Sequence, residues 1–335
     1  MRRLSGLQYI RGVAACAVLA YHAADRAGVR LGLGEAGVDL FFVLSGFLMW
    51  AITDETSRPA GFLLDRLKRI VPGYWAATSV MLAGALVGLF PAVRLSVGHV
   101  SASYAFLPWT SPSNGQVWPL LVPGWTLNYE MAFYGLFSLV LLRPRQHQIG
   151  LLTMLLAGLG LAGWVLRPES TAMRFYTDPH ILEFLGGLWL GRLWEKGGPT
   201  PAMAPMLATA AGMGFLLSQM LPMGWPKPML FGLPALLAVT AVLAFERRHG
   251  GVRGWPLLER LGDASYSIYL WHTLALSVSA RVAHMLGLAT APAIALHVAA
   301  GLFAGLGGYH LVERPTMRVF AAQRRRQAVP VPEAV

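Results

Sequence analysis

Residues 37–47 read Gly37-Val38-Asp39-Leu40-Phe41-Phe42-Val43-Leu44-Ser45-Gly46-Phe47, an apolar run broken by one acid and one hydroxyl. With its flanks the run covers 35–52, and a helix of that length at about 1.5 Å per residue nearly matches the roughly 30 Å of bilayer hydrocarbon. Similar runs recur at 9–24, 74–91, 125–142, 149–166, 180–195, 202–221, 229–245, 263–285 and 289–312. The fold expected is therefore all-α: a polytopic membrane protein of about ten transmembrane helices. The segment 180–195 is the weakest of the ten, since it carries His180, Glu183 and Arg192. The run at 9–24 follows Arg2 and Arg3, and it is read as the first span rather than a cleaved signal peptide because the chain keeps returning to the membrane.

Composition agrees. Only 13% of the 335 residues are charged, against about a quarter in soluble domains, and 55% are hydrophobic. The net charge of +11 resides in short basic clusters between apolar runs, which marks topology rather than a nucleic-acid surface. With the N-terminus placed in the cytoplasm, the inside segments hold 20 Lys and Arg and the outside segments 6. That asymmetry puts both termini in the cytoplasm. Residues 1–318 are expected to form one membrane domain, followed by a basic, unstructured tail over 319–335 that includes Arg324, Arg325 and Arg326. The outside loop near 92–124, rich in Pro, Ser and Trp, either covers the site as a lid or anchors the chain at the interface. Gly187 with Gly191, and Gly301 with Gly305, have the spacing of close helix packing.

Cys16, the one cysteine, lies within an apolar run, so neither a disulfide nor a thiolate metal site is available, and no metal is expected. Chemistry then falls to ionisable groups at membrane depth, which are costly to keep there. Arg11 and His22 are eleven residues apart and share one face of the first helix, about 16 Å apart along its axis. His22 suits a general base, unless both residues simply snorkel to opposite interfaces. Asp39, with Ser45 on the same helix, either orients His22 or caps the helix at the outer surface. Glu130, a little over one turn into the fourth span, is the better partner for His22 or a sugar hydroxyl. Arg66 and Arg69, in the inner loop expected after the second span, share a helical face beside Lys68, where two guanidinium forks fit phosphates as readily as they mark topology. Ser265, Tyr266 and His272 on the ninth span, with Tyr129 on the fourth, either line a polar passage for substrate or bond neighbouring helices.

The order of these motifs resembles the acyltransferase family 3 membrane enzymes, nearest the exopolysaccharide O-acetyltransferase branch. The resemblance rests on Arg-x10-His at Arg11 and His22, on GVDLFFVLSGF, and on Arg-x-x-Arg at Arg66 and Arg69. It continues through WTLNYE ending at Glu130, LGDASYSIYLWH ending at His272, and the terminal Glu313-Arg314-Pro315. It implies ten core helices in a bacterial inner membrane and acetyl-CoA or a related acyl-CoA as donor. The implied acceptor is a sugar hydroxyl on a polysaccharide or lipid-linked oligosaccharide, and Arg11, His22, Arg66 and Arg69 are implied to matter for activity. It also implies that a chain without the hydrolase-like domain fused to some relatives completes transfer in its membrane core. Two other readings stay open at this level: acyl transfer to a small molecule, and a transporter whose intramembrane His, Asp, Glu and Arg relay protons. The halves of the chain show no matched broken helices, which tells against the transporter. Membrane lipids are expected around the chain, nucleic acid is not, and an oligomer is compatible with its apolar exterior.

Overall fold

The computed structural model describes residues 4–221, 228–249 and 254–327; Arg2, Arg3, Lys227 and Arg253 of the loop-charge pattern lie outside them. Fourteen helices follow one another: α1 (Ser5–Arg26), α2 (Gly37–Ala51), α3 (Pro59–Leu86), α4 (Val97–Tyr104), α5 (Gly124–Val140), α6 (Arg145–Leu166), α7 (Thr171–Tyr176), α8 (Ile181–Glu195), α9 (Ala204–Ser218), α10 (Leu233–His249), α11 (Pro256–Asp263), α12 (Ser265–Met285), α13 (Thr290–Gly308) and α14 (Arg314–Gln327). Among the described residues there is no strand beyond a single bridge between Thr110 and Val117. The all-α class is thus as expected.

Each of the ten apolar runs coincides with a helix. Five helical segments are long and apolar enough to cross a membrane: Gly32–Ala51, Arg145–Leu166, Pro201–Ser218, Pro228–Arg248 and Thr290–Gln323. The remaining runs differ for two reasons. Helices α5 and α8 have 17 and 15 residues, so α8 is about 22 Å long. Helices α1, α3 and α12 carry charged or polar side chains, among them Arg11, Arg69 and His272. The bundle is also apolar on its outside: Met154, Leu161, Trp164, Met206 and Phe303 are each more than half exposed. A water-facing surface rarely tolerates so much apolar area, whereas lipid contact requires it.

Two local features depart from the sequence reading. The stretch bearing Arg66 and Arg69 is not a loop but the opening of α3, which runs unbroken from Pro59 through Pro72 to Leu86. Pro59 sits at the first turn, where its missing N–H costs nothing. Residues 319–327 of the expected tail belong to α14; 328–335 lie outside the described residues.

Helix α2 is the centre of the molecule because glycines let other helices reach it. A Cβ on Gly46 would strike the carbonyl of Phe184, and one on Gly187 would strike that of Val43, so α2 and α8 touch backbone to backbone. The expected small-residue pairs sit at such contacts: Gly191 packs on Trp50, Gly301 on Leu19 and Gly305 on Ile268. The region between α3 and α5 is folded rather than slack. Ser96 caps α4 by accepting from the His99 N–H at 3.2 Å, Tyr74 donates to the Ser103 carbonyl at 3.0 Å, and Trp75 donates to the Tyr104 carbonyl at 3.0 Å.

Candidate active site

Most of the polar residues singled out in the sequence collect in three places. The first is a cavity of about 130 Å³. Its wall on α2 runs from Val38 through Ser45 to Met49, about 16 Å of helix. Arg11 comes from α1, Arg66 and Arg69 from α3, Glu130 and Tyr134 from α5, and Tyr266 and Tyr269 from α12. Three guanidinium groups thus face one narrow passage.

Their placement is built from below by hydrogen bonds. Arg69 is ion-paired to Glu313, which is 3% exposed and also accepts from Ser267 Oγ at 2.6 Å. The ring of Tyr266 lies 5.5 Å from the Arg69 guanidinium, and its hydroxyl donates to the Ile70 carbonyl at 2.6 Å, tying α12 to α3. Glu130 accepts from Ser45 Oγ at 3.1 Å and from the Tyr134 hydroxyl. Its partners are therefore on its own helix and on α2, not at His22. Lys68 turns away from the passage, its ammonium 5.5 Å from the ring of Phe320 on α14.

The second place is a histidine pair. His22 Nδ1 lies 3.0 Å from the Val18 carbonyl and 3.1 Å from Nε2 of His272, whose own Nδ1 lies 3.0 Å from the Ile268 carbonyl. Carbonyls only accept, so both Nδ1 atoms carry hydrogen in the neutral pair. His272 then presents the lone pair of Nε2, and His22 shares its Nδ1–H between that lone pair and Val18. The lone pair left over is on His22 Nε2. Adding a proton there preserves every one of these hydrogen bonds, because the resulting imidazolium still donates from Nδ1 to neutral His272. The arrangement holds a base in one tautomer and supports the cation it forms, the task a carboxylate performs in hydrolytic triads. Tyr269 separates the pair from the cavity: its ring is 6.1 Å from that of His272, 5.8 Å from Phe41, and its hydroxyl donates to the Pro123 carbonyl at 3.2 Å.

The third place gathers Asp39, Glu183 and His180 at the first turns of α2 and α8 and the residue before α8. Asp39 does not meet His22. Tyr129 stacks on Phe175 with ring centroids 3.9 Å apart and borders His180 at 6.1 Å, so it belongs to this third group rather than to the passage. Ser265 is fully buried at the start of α12, outside the cavity lining.

Of the residues singled out in the sequence, the passage unites Arg11, Arg66, Arg69, Ser45, Glu130 and Tyr266, and the pair unites His22 with His272. Missed were Tyr134, Tyr269 and Ser267. Glu313 was visible as part of the terminal Glu-Arg-Pro, but its partner was not, since Arg69 is 244 residues away.

Comparison with known proteins accords with this constellation. The model of the acyltransferase-3 family, described as an acyltransferase domain, matches residues 4–311. The chain belongs to acyltransferase family 3. It is 44% identical over 306 residues to the exopolysaccharide production protein ExoZ of Rhizobium meliloti (strain 1021), covering 91% of this chain and 96% of that protein. It is 26% identical over 283 residues to the putative membrane-bound transacylase BcsY of Komagataeibacter xylinus, covering 78% and 70%. A putative O-acetyltransferase of Staphylococcus aureus (strain COL) is 22% identical over 324 residues, covering 83% of this chain and 51% of that protein. No solved structure matches the chain. This member of the family is an acyltransferase.

Proposed function

We propose that the protein transfers an acetyl or similar short acyl group from acyl-CoA to a hydroxyl of a cell-surface or exopolysaccharide sugar, through a ten-span domain in the bacterial inner membrane with both termini cytoplasmic. The observation that carries this reading is the convergence of Arg11, Arg66 and Arg69 on one cavity whose wall residue Tyr269 also borders His272 of the His22–His272 pair. Arg66 and Arg69, near the start of α3, hold the phosphates of the donor, with bidentate forks suited to them. Glu313 keeps the Arg69 fork aimed. The pantetheine arm lies along α2 past Ser45 and Arg11, which requires the Tyr269 partition to swing aside.

At the far end His22 Nε2 takes the proton of the acceptor hydroxyl, the sugar oxygen bonds to the thioester carbon, and the carbon–sulfur bond breaks. The CoA thiolate leaves and collects the proton from His22. The same lone pair can instead attack the thioester carbon first and expel the CoA thiolate; the sugar oxygen then displaces the imidazole from that carbon, and the hydroxyl proton passes to the freed Nε2 and on to the thiolate. Polysaccharide as the acceptor class is supported by the name of the 44% identical relative and by the O-acetyltransferase names of others.

The test uses purified protein in nanodiscs with labelled acetyl-CoA and the unacetylated polysaccharide of a strain lacking the gene. Wild-type protein should give O-acetyl signals by NMR, and His22→Ala should give none while still binding donor. Absence of polysaccharide acetylation by an active preparation that hydrolyses or exchanges acetyl-CoA would refute the acceptor class. Rapid quench before acceptor is added separates the two routes: label on His22 supports the covalent one.

A further inference from the structure

Asp39 and Glu183 are 3% and 5% exposed and face each other, yet one oxygen of Asp39 and both oxygens of Glu183 accept from no N–H or O–H donor among the described residues. Two carboxylates with that little satisfaction are expensive to bury unless a cation joins them. The third member, His180, sits with its Nδ1 2.5 Å from Asp178 Oδ1, which leaves Nε2 to ligate. A carboxylate holding one nitrogen of an imidazole so that the other faces inward is the usual support of a metal-bound histidine.

One possible ligand atom from each of Asp39, His180 and Glu183 lies within 4.8 Å of the other two. Ligands around a tetrahedral ion at about 2.1 Å lie about 3.4 Å apart, so side-chain torsions that draw this set together by about 1–1.5 Å bring it to bonding distance. The walls are rigid and aromatic, with Phe42 at 6.2 Å and Trp125 at 5.8 Å from the imidazole. Asp178 is 40% exposed on its side chain, which gives an entry path from the surface.

We infer that Asp39, Glu183 and His180 form a binding site for one divalent transition-metal ion, Zn²⁺ or Mn²⁺. Two carboxylates balance its charge, and the imidazole donor selects against Mg²⁺ and Ca²⁺, which take oxygen ligands. The ion fastens the first turn of α2 to that of α8, and Phe42, one turn from Asp39, carries that fixed position to the wall of the passage. Sequence reading gave no sign of it, because one ligand comes from α2 and the others from the entry of α8.

The experiment takes the full chain in detergent with its affinity tag removed, strips it with chelator, desalts it and adds Co²⁺, Zn²⁺ or Mn²⁺ singly. Expected are about one bound equivalent per chain by elemental analysis, a visible Co²⁺ ligand-field spectrum lost on adding Zn²⁺, and an unfolding midpoint raised by several degrees. Millimolar Mg²⁺ or Ca²⁺ should leave the spectrum unchanged. Asp39→Asn, Glu183→Gln and His180→Ala should each weaken Co²⁺ binding at least about tenfold. Should those variants fail to fold, the stoichiometry and spectrum of the wild-type chain decide alone. No stoichiometric metal on wild-type protein at saturating Co²⁺, Zn²⁺ and Mn²⁺ would overturn the site and make the carboxyls a proton-sharing pair. Retention undiminished in all three folded variants would overturn it equally, by placing the ion elsewhere.

Discussion

Replacing His272 by Phe keeps a planar ring of similar size in the fully buried position but removes the acceptor for the His22 Nδ1–H. His22 keeps its second partner, the Val18 carbonyl at 3.0 Å, so the tautomer survives. What is lost is the hydrogen bond that strengthens as His22 gains a proton. A hydrogen bond to a charged partner contributes about 1.5–3 kcal/mol, which at about 1.4 kcal/mol per factor of ten corresponds to roughly 10- to 150-fold in rate. Because the loss falls on the state in which His22 is charged, it should appear in kcat, with the KM for acyl-CoA unchanged within about twofold. His272→Gln should recover much of the rate, since its amide oxygen accepts where the imidazole Nε2 did. The assay is steady-state acetyl transfer in nanodiscs, with unfolding midpoints recorded alongside. Wild-type kcat in His272→Phe, or a loss shared equally by kcat, KM and stability with no rescue by Gln, would refute the positioning role.

Four other outcomes follow from the same geometry. Arg66→Ala should raise the KM for acetyl-CoA by at least about tenfold yet barely alter that for an acetyl-pantetheine lacking the nucleotide phosphates, as measured by competitive turnover. Glu313→Gln removes the ion-pair partner of Arg69 within a largely buried network, so donor affinity should fall and stability measured in detergent should drop by about 1–3 kcal/mol. Gly46→Ala drives a methyl into the Phe184 carbonyl and should cost about 1–3 kcal/mol, visible as loss of monodisperse protein in size-exclusion chromatography. In a Cys16→Ala background, cysteines placed at Glu55 and at Arg94 should react with impermeant reagent from the cytoplasmic and the outer side respectively, if the ten-span topology holds.

Part of the architecture was legible because lipid imposes a length and a composition on a helix that crosses it: each of the ten apolar runs overlaps a helix, and five of those helices are long and apolar enough to cross. The glycine pairs were legible for a similar reason: close packing in lipid leaves a residue type and a spacing behind. The arginines were legible as a set, since Arg11, Arg66 and Arg69 stand out in apolar surroundings. What joins them was not. His22 meets His272 across 250 residues, and Arg69 meets Glu313 across 244, so neither partner follows from any local period. Asp39 and Glu130 were each read as possible partners of His22, Glu130 on grounds of depth, beside a helix cap for the one and a sugar hydroxyl for the other. Depth sets the level of a residue in the bundle, but rotation about the helix axis sets which neighbour it faces. That rotation placed Asp39 toward α8 and Glu130 toward Ser45 and Tyr134. The opening of α3 was read as a loop because its charges resemble an inner-surface connection, whereas Pro59 at the first turn signals a helix start.

The claim that an acyl group travels through the bundle from a donor held by arginines to a base near the opposite end is tested most directly in sealed, inverted membrane vesicles. Labelled acetyl-CoA is added outside, facing the cytoplasmic surface, and the sugar acceptor is enclosed in the lumen. Wild-type vesicles should accumulate labelled O-acetyl sugar inside, and His22→Ala vesicles with equal protein and equal donor binding should accumulate none. Label reaching the lumenal sugar in His22→Ala vesicles, or appearing only when acetyl-CoA is itself enclosed with the acceptor, would contradict the account.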